Sequence, residues 1–314
     1  MAFGTQTPPA GFPVLLGLLG LGTAWRNAGA VYGTMGWLGE VLLGAAMAVF
    51  LAGFAGYLVK FLRRPGVLAD DLKTLPGRAG IAAMMMSWML VAGALMPYAG
   101  GLARVVLIGA MLGHGAAMLV AIRVLMQMPP EGRKMTGVWH LTFVGTIVGA
   151  VVAGNIGWSG LAMTVFVLTA LAALWIYVGT LIRNNPLQTP PPLRPTLAIH
   201  LGPVSLFGSA ALALGLTGIA QVMGWVSLVV FLILTARVLW LTAGGFSALW
   251  GAFTFPLAAF TTLMILLTDG NGVFQAFGLI ALLVATLTIP PIGVKVLQLW
   301  IKGKLAPATN AASA

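Results

Sequence analysis

The sequence contains no cysteine and only five acidic residues, and charged side chains of every kind make up 7% of its 314 residues. Without cysteine there are no disulfides, no thiol catalysis and no iron–sulfur ligation. The five acids form no paired carboxylates for general acid–base work, and no nucleophile can be grouped with a base and an orienting acid. The three histidines His114, His140 and His200 fall on different apolar runs with no i, i+4 spacing, so no metal-site motif is present. A soluble surface needs about 25–35% charged residues. That surface cannot be built here, and a water-soluble domain is excluded.

What is present is hydrocarbon. Apolar residues are 60% of the chain and mean hydropathy is +1.03. A helix crossing about 30 Å of bilayer core needs about 20 such residues, so the chain reads as an all-α integral membrane protein with no room for a soluble catalytic domain. Apolar runs broken by Gly, Pro and charge predict ten transmembrane helices, over 13–32, 37–62, 79–96, 99–125, 137–154, 157–182, 196–217, 220–241, 246–267 and 272–301. Residues 1–12 read as a short N-terminal leader and not as a signal peptide, residues 13–304 as one transmembrane domain, and residues 305–314 as a disordered tail. A helix, its partner and a basic turn recur about every 60 residues. This suggests five helical hairpins, each with one helix facing a common axis.

All of the 16 Lys and Arg except Arg26 and Arg104 sit in or beside the connections that follow even-numbered runs, or at the end of the tenth. The positive-inside rule makes that side cytoplasmic, with both termini there. The net charge of +11 is thereby assigned to topology and anionic lipid headgroups, with no nucleic acid implied. Arg26 and Arg104 lie towards the other side. They either draw anions to a vestibule, or one snorkels while the other pairs with Glu40, which is the default for single charges.

Pro13, Pro203 and Pro256 interrupt the first, seventh and ninth runs, and Gly17, Gly20, Gly22, Gly145 and Gly149 add small residues to the first and fifth. Helix breakers are tolerated in a bilayer where freed backbone groups meet protein or water, so these helices are candidates to line a cavity. Close helix packing is the alternative for any single glycine. No acid lies at membrane depth, where a cation pathway would need one. A route lined by backbone, Ser, Thr and apolar groups suits anions better than cations. Its candidate lining residues are Gly17, Ser87, Thr142, Thr146, His200, Pro203, Thr254 and Pro256.

Several segments together resemble one family: Phe12 to Trp25 with Gly17, Pro76-Gly77-Arg78, the stretch Arg194-Pro-Thr-Leu-Ala-Ile-His200-Leu-Gly-Pro203, and Ala252-Phe-Thr-Phe-Pro256-Leu-Ala. They are similar to the TehA/SLAC1 family, the tellurite-resistance and C4-dicarboxylate transporter group related to plant slow anion channels. The resemblance implies ten helices as five hairpins, with the odd-numbered helices around a central pore, and a homotrimer. It also implies that Phe255 plugs that pore. Members carry prolines in the third and fifth helices, where this sequence has Met84-Met-Met-Ser87-Trp88 and His140-Leu-Thr142-Phe143-Val-Gly145 instead. Straighter helices lined by Ser87, Thr142 and Thr146 are the expectation there.

The expected function is an anion channel or facilitator of the bacterial inner membrane, passing chloride, nitrate, malate or similar anions, with no enzymatic activity, cofactor or metal. A secondary carrier exporting C4-dicarboxylate, tellurite or sulfite, proton-linked through a histidine such as His200, is the alternative. A membrane-embedded enzyme or assembly partner is disfavoured by the missing catalytic sets.

Overall fold

Among residues 5–33 and 35–314, which the computed structural model describes, the regular structure is helical and no strand occurs. Nine helices are long and apolar enough to span a bilayer, and one bent pair makes a tenth. Spans 1 to 10 are Pro9–Tyr32, Gly36–Arg63, Leu75–Leu95, Gly100–Gln127, Val138–Val144 with Ile147–Asn155, Ser159–Arg183, Pro191–Ala213, Thr217–Ala236, Ala248–Leu266 and Gly272–Ile301. These agree with the runs read from hydropathy to within a few residues, because in hydrocarbon every backbone polar group must be satisfied inside its own helix.

The spans pack in consecutive pairs, 1 with 2 through 9 with 10, as five hairpins. Turn chemistry fixes them. At the turn after span 7, Gly215 takes φ +73°, the Leu216 N–H reaches the Ala211 carbonyl at 2.8 Å and the Gly215 N–H reaches Leu212 at 3.0 Å. This is a Schellman close, and a left-handed residue at that position favours glycine. Gly157 repeats it after span 5, with bonds to Ala153 and Gly154.

The odd-numbered spans contact one another in a closed ring, 1 to 3 to 5 to 7 to 9 and back to 1. In spans 1, 3, 7 and 9 the most apolar stretch is 56%, 72%, 83% and 72% buried within the chain, whereas the even-numbered spans are 22% to 39% buried. The odd spans are therefore an inner barrel of helices. The even spans form an outer layer that carries exposed Leu, Ile and Val side chains.

Three expectations are corrected. Span 5, read as straight for want of proline, bends by 47° between its halves. The bend falls at Gly145, where a Cβ would press on His114 Cε1 at 2.6 Å and Met86 Sδ at 2.9 Å, so glycine substitutes for proline by admitting spans 3 and 4. Residues 1–4 of the leader lie outside the described residues, but its remainder is not a loose lead-in, since Pro9–Gly11 form a buried 3-10 turn that opens span 1. Nor are residues 305–314 disordered. Leu305–Ala308 form a helical turn, with Leu305 packed among Val14, Ile292 and Val296. The Ala312 N–H donates to Asp71 Oδ1 at 2.8 Å, and Arg64 Nε donates to the Ser313 carbonyl at 3.0 Å.

One ring contact is tight enough to test. A Cβ at Gly80 in span 3 would overlap the Pro9 carbonyl group at the start of span 1. Backbone cannot swing aside as a side chain does, so Gly80→Ala is expected to cost about 2 kcal/mol. Thermal unfolding in detergent checks this against Gly44→Ala, which has nothing within 4 Å and should lose nothing.

Candidate functional site

The ring surrounds a half-open cavity to which all five odd-numbered spans contribute. Its wall is built from the first halves of those spans: Pro13 and Leu16, Pro76 and Met86, His140 and Val144, Ile199 and Pro203, Ala252 and Phe255. Successive spans run antiparallel, so these first halves share one side of the protein. It is the side on which the basic connections emerge.

Spans 7 and 9 are shaped alike here. Each begins as a 3-10 helix, Pro191–His200 and Ala248–Phe253, and turns into an α-helix at Leu201 and Thr254. Pro203 and Pro256 each occupy the third position of that α-helix. With no N–H, neither can give the α-type bond to the carbonyl four residues earlier, on Ile199 and Ala252. All four residues line the cavity. Proline in the first turn suits a helix start, which is why both helices change form at this depth.

Phe255 lies at the cavity boundary and is 7% exposed. It is seated against span 1, where a Cβ on Gly20 would approach its Cδ2 to 3.1 Å. The neighbouring Thr254 is not part of the wall. It is fully buried, its hydroxyl donates to the carbonyls of Gly251 at 2.7 Å and Pro13 at 3.1 Å, and its side chain fills the place a Cβ on Gly17 would take. Gly17 and Thr254 thus form the packing joint between spans 1 and 9 that places the Phe255 ring.

Pro203, Phe255 and Pro256 are in the wall, while the other candidates stand elsewhere. Ser87 is fully buried and returns its hydroxyl to the Ala83 carbonyl at 2.8 Å, leaving Met86 in the wall instead. Thr142 faces a small separate space between spans 3, 4 and 5, beside Arg78 and His114. Thr146 opens the second half of span 5 just after the bend and is not in the wall. His200 Nδ1 and His140 Nε2 are 3.1 Å apart, and of the two residues only His140 lines the cavity. Nothing in the sequence separates those two histidines, since each lies near the start of its span. Arg26 grips Glu40 through two bonds of 2.6 Å, so it serves as a hairpin clasp and not as a free vestibule charge.

The wall is apolar except for Thr196, whose hydroxyl is turned to the Leu193 carbonyl, and His140. It holds no carboxylate. Arg78 is buried near the basic side with bonds only to the carbonyls of Leu72 and Lys73 and to Met128 Sδ, and Arg194 donates to the carbonyls of Thr189 and Trp240. Positive charge without acid partners beside an apolar cavity makes its potential positive. Among the described residues no cluster of metal-ligating side chains occurs.

Comparison with curated proteins finds no match. The family profile described as SLAC1, voltage-dependent anion channel, matches residues 6–295, which takes in nine spans and most of the tenth. The ring of odd-numbered spans, the ten-span count and that match together place the chain in the SLAC1 voltage-dependent anion channel family.

Proposed function

We propose that this chain is a gated anion channel of the bacterial inner membrane, in which residues 13–304 form one pore domain and the Phe255 ring closes the permeation route at the end of the cavity. The observation that carries this reading is the wall itself: apolar, free of carboxylate and including an aromatic ring seated against Gly20. Such a route repels cations by potential and resists anions only by the cost of removing their water. The ions it suits are weakly hydrated, with nitrate ahead of chloride and malate behind both. The basic connections support a cytoplasmic position for both termini. A homotrimer would bury part of the apolar surface of the even-numbered spans, in contact with the lipid that covers the rest.

Flux into liposomes loaded with purified protein tests this directly. Nitrate, chloride and malate are expected to enter in falling order without saturation. Saturable, malate-selective flux stimulated by malate on the opposite face would instead support a carrier exporting C4-dicarboxylate, tellurite or sulfite.

A further inference from the structure

The rings of His140 and His200 meet edge to face at 5.0 Å, and Tyr177 of span 6 lies against both, at 4.5 Å from His140 and 5.4 Å from His200. The Tyr177 hydroxyl donates to the His200 carbonyl at 2.7 Å, so it is not available to the imidazoles. His140 is 2% and His200 5% exposed. Their outward nitrogens, His140 Nδ1 and His200 Nε2, have no hydrogen-bond partner.

Whichever ring donates the shared bond, a neutral pair has two hydrogens on four nitrogens. One hydrogen is in the bond, so one outward nitrogen bears the other and the opposite outward nitrogen is a bare lone pair. One added proton makes both outward nitrogens donors and the pair a cation, with no other bond made or broken. Burying such a cation is costly unless an anion accompanies it. The anion has a place to stand, because His140 is the one side chain of the cavity wall able to carry charge.

We propose that His140 and His200 form a proton-loaded anion site in the cavity: uptake of one proton by the pair makes both unshared nitrogens N–H donors and gives the pair a positive charge with which to hold a small hydrogen-bond-accepting anion, such as nitrate or a monocarboxylate. The site deepens the channel reading and rests on it. No neighbouring element supplies a competing charge in contact with the pair. Span 6 brings Tyr177, and Arg183 at its far end. Span 3 brings Arg78, held by the Leu72 and Lys73 carbonyls, and span 4 brings His114, turned to the Thr142 carbonyl at 3.1 Å. Arg194, earlier in span 7, is held at Thr189 and Trp240, Arg237 follows span 8, and span 9 brings no titratable group. The acids are remote: Glu40 is on Arg26, Asp70 on Lys73 and Arg64, Asp71 on Lys60, and Glu131 and Asp269 are in exposed connections.

The test is nitrate flux through proteoliposomes in steps from pH 7.5 to 5.5, for wild type and for the same substitutions in a Phe255→Ala background. Flux is expected to rise roughly tenfold on acidification, by the focusing effect of one added charge. His140→Gln, which keeps a hydrogen-bonding side chain but takes no proton, should abolish the rise on acidification. His200→Gln should keep the rise with a displaced midpoint, and an undisplaced midpoint overturns the shared proton. A flat wild-type profile, or an unaltered rise in His140→Gln, overturns the site while leaving the channel intact. No nitrate flux in any protein at any of these pH values overturns the channel reading and the site with it. A readout independent of flux is the unfolding temperature of wild-type protein in detergent: nitrate should raise it more at pH 5.5 than at 7.5, and equal shifts count against the site.

Discussion

Removing the Phe255 ring is expected to raise anion conductance by about 10- to 100-fold. The ring is 7% exposed, lines the cavity and is seated against Gly20, and in the proposed gate it leaves that seat before an ion passes. Exposing a buried phenylalanine costs about 1.5–3 kcal/mol, and each 1.4 kcal/mol is a factor of ten. Phe255→Ala removes that step, whereas Phe255→Leu should fall between the two. The control is Phe260, one turn and a half further along the same span, stacked on Phe231 at 4.4 Å and 13° and fully buried away from the wall. Phe260→Ala should lower stability by about 3–5 kcal/mol without raising conductance. Liposome flux or single-channel recording on both variants separates the cases. A folded Phe255→Ala protein with wild-type conductance would remove the gate from the account.

The second large effect is on stability, at a charge pair the membrane cannot solvate. Lys60 and Asp71 are both fully buried, 2.8 Å apart. The Tyr57 hydroxyl adds a donor to Asp71 at 3.1 Å, and Lys60 also donates to the Thr7 carbonyl at 3.2 Å. Through the Ala312 N–H on Asp71 and the Thr7 carbonyl on Lys60, both ends of the described chain are tied to this one pair. Asp71→Ala leaves the ammonium buried with no counter-charge, and breaking a buried pair from one side costs about 3–5 kcal/mol. The double change Lys60→Met with Asp71→Leu should recover most of that, since no unpaired charge remains. Detergent unfolding measures the loss. Trypsin reports the release of the tail, because the bond beyond Lys304 should become cleavable in Asp71→Ala while wild type resists. Equal losses in the single and double variants would show that packing at this position matters and the charge does not.

Much of this protein is legible in its sequence, and the illegible part has a definite character. Each span follows from residues near it in sequence: about 20 apolar residues per crossing, with left-handed glycines such as Gly215 closing the hairpins. Pro203 and Pro256 mark the change from 3-10 to α-helix for the same local reason. Which face of an odd span meets the cavity is another matter. In a soluble helix, polar residues mark the outer face, but here the lipid face, the packing face and the cavity face are all apolar. Ser87 and Met86 are adjacent in sequence and only the methionine reaches the wall. Gly17 and Thr254 look like lining residues and prove to be each other's packing partners.

What the sequence by itself determined is therefore the number and extent of the spans, because hydrocarbon penalises every unsatisfied backbone group wherever it stands in the fold. Only the tertiary structure decided that His140 and not His200 is in the wall, that span 5 bends at Gly145, and that a lysine at the end of one span and an aspartate 11 residues later hold both ends of the described chain. Each of these depends on how two helices are rotated against one another. That rotation is set by the fit of small and large side chains at the contact, which hydropathy along a single chain does not record.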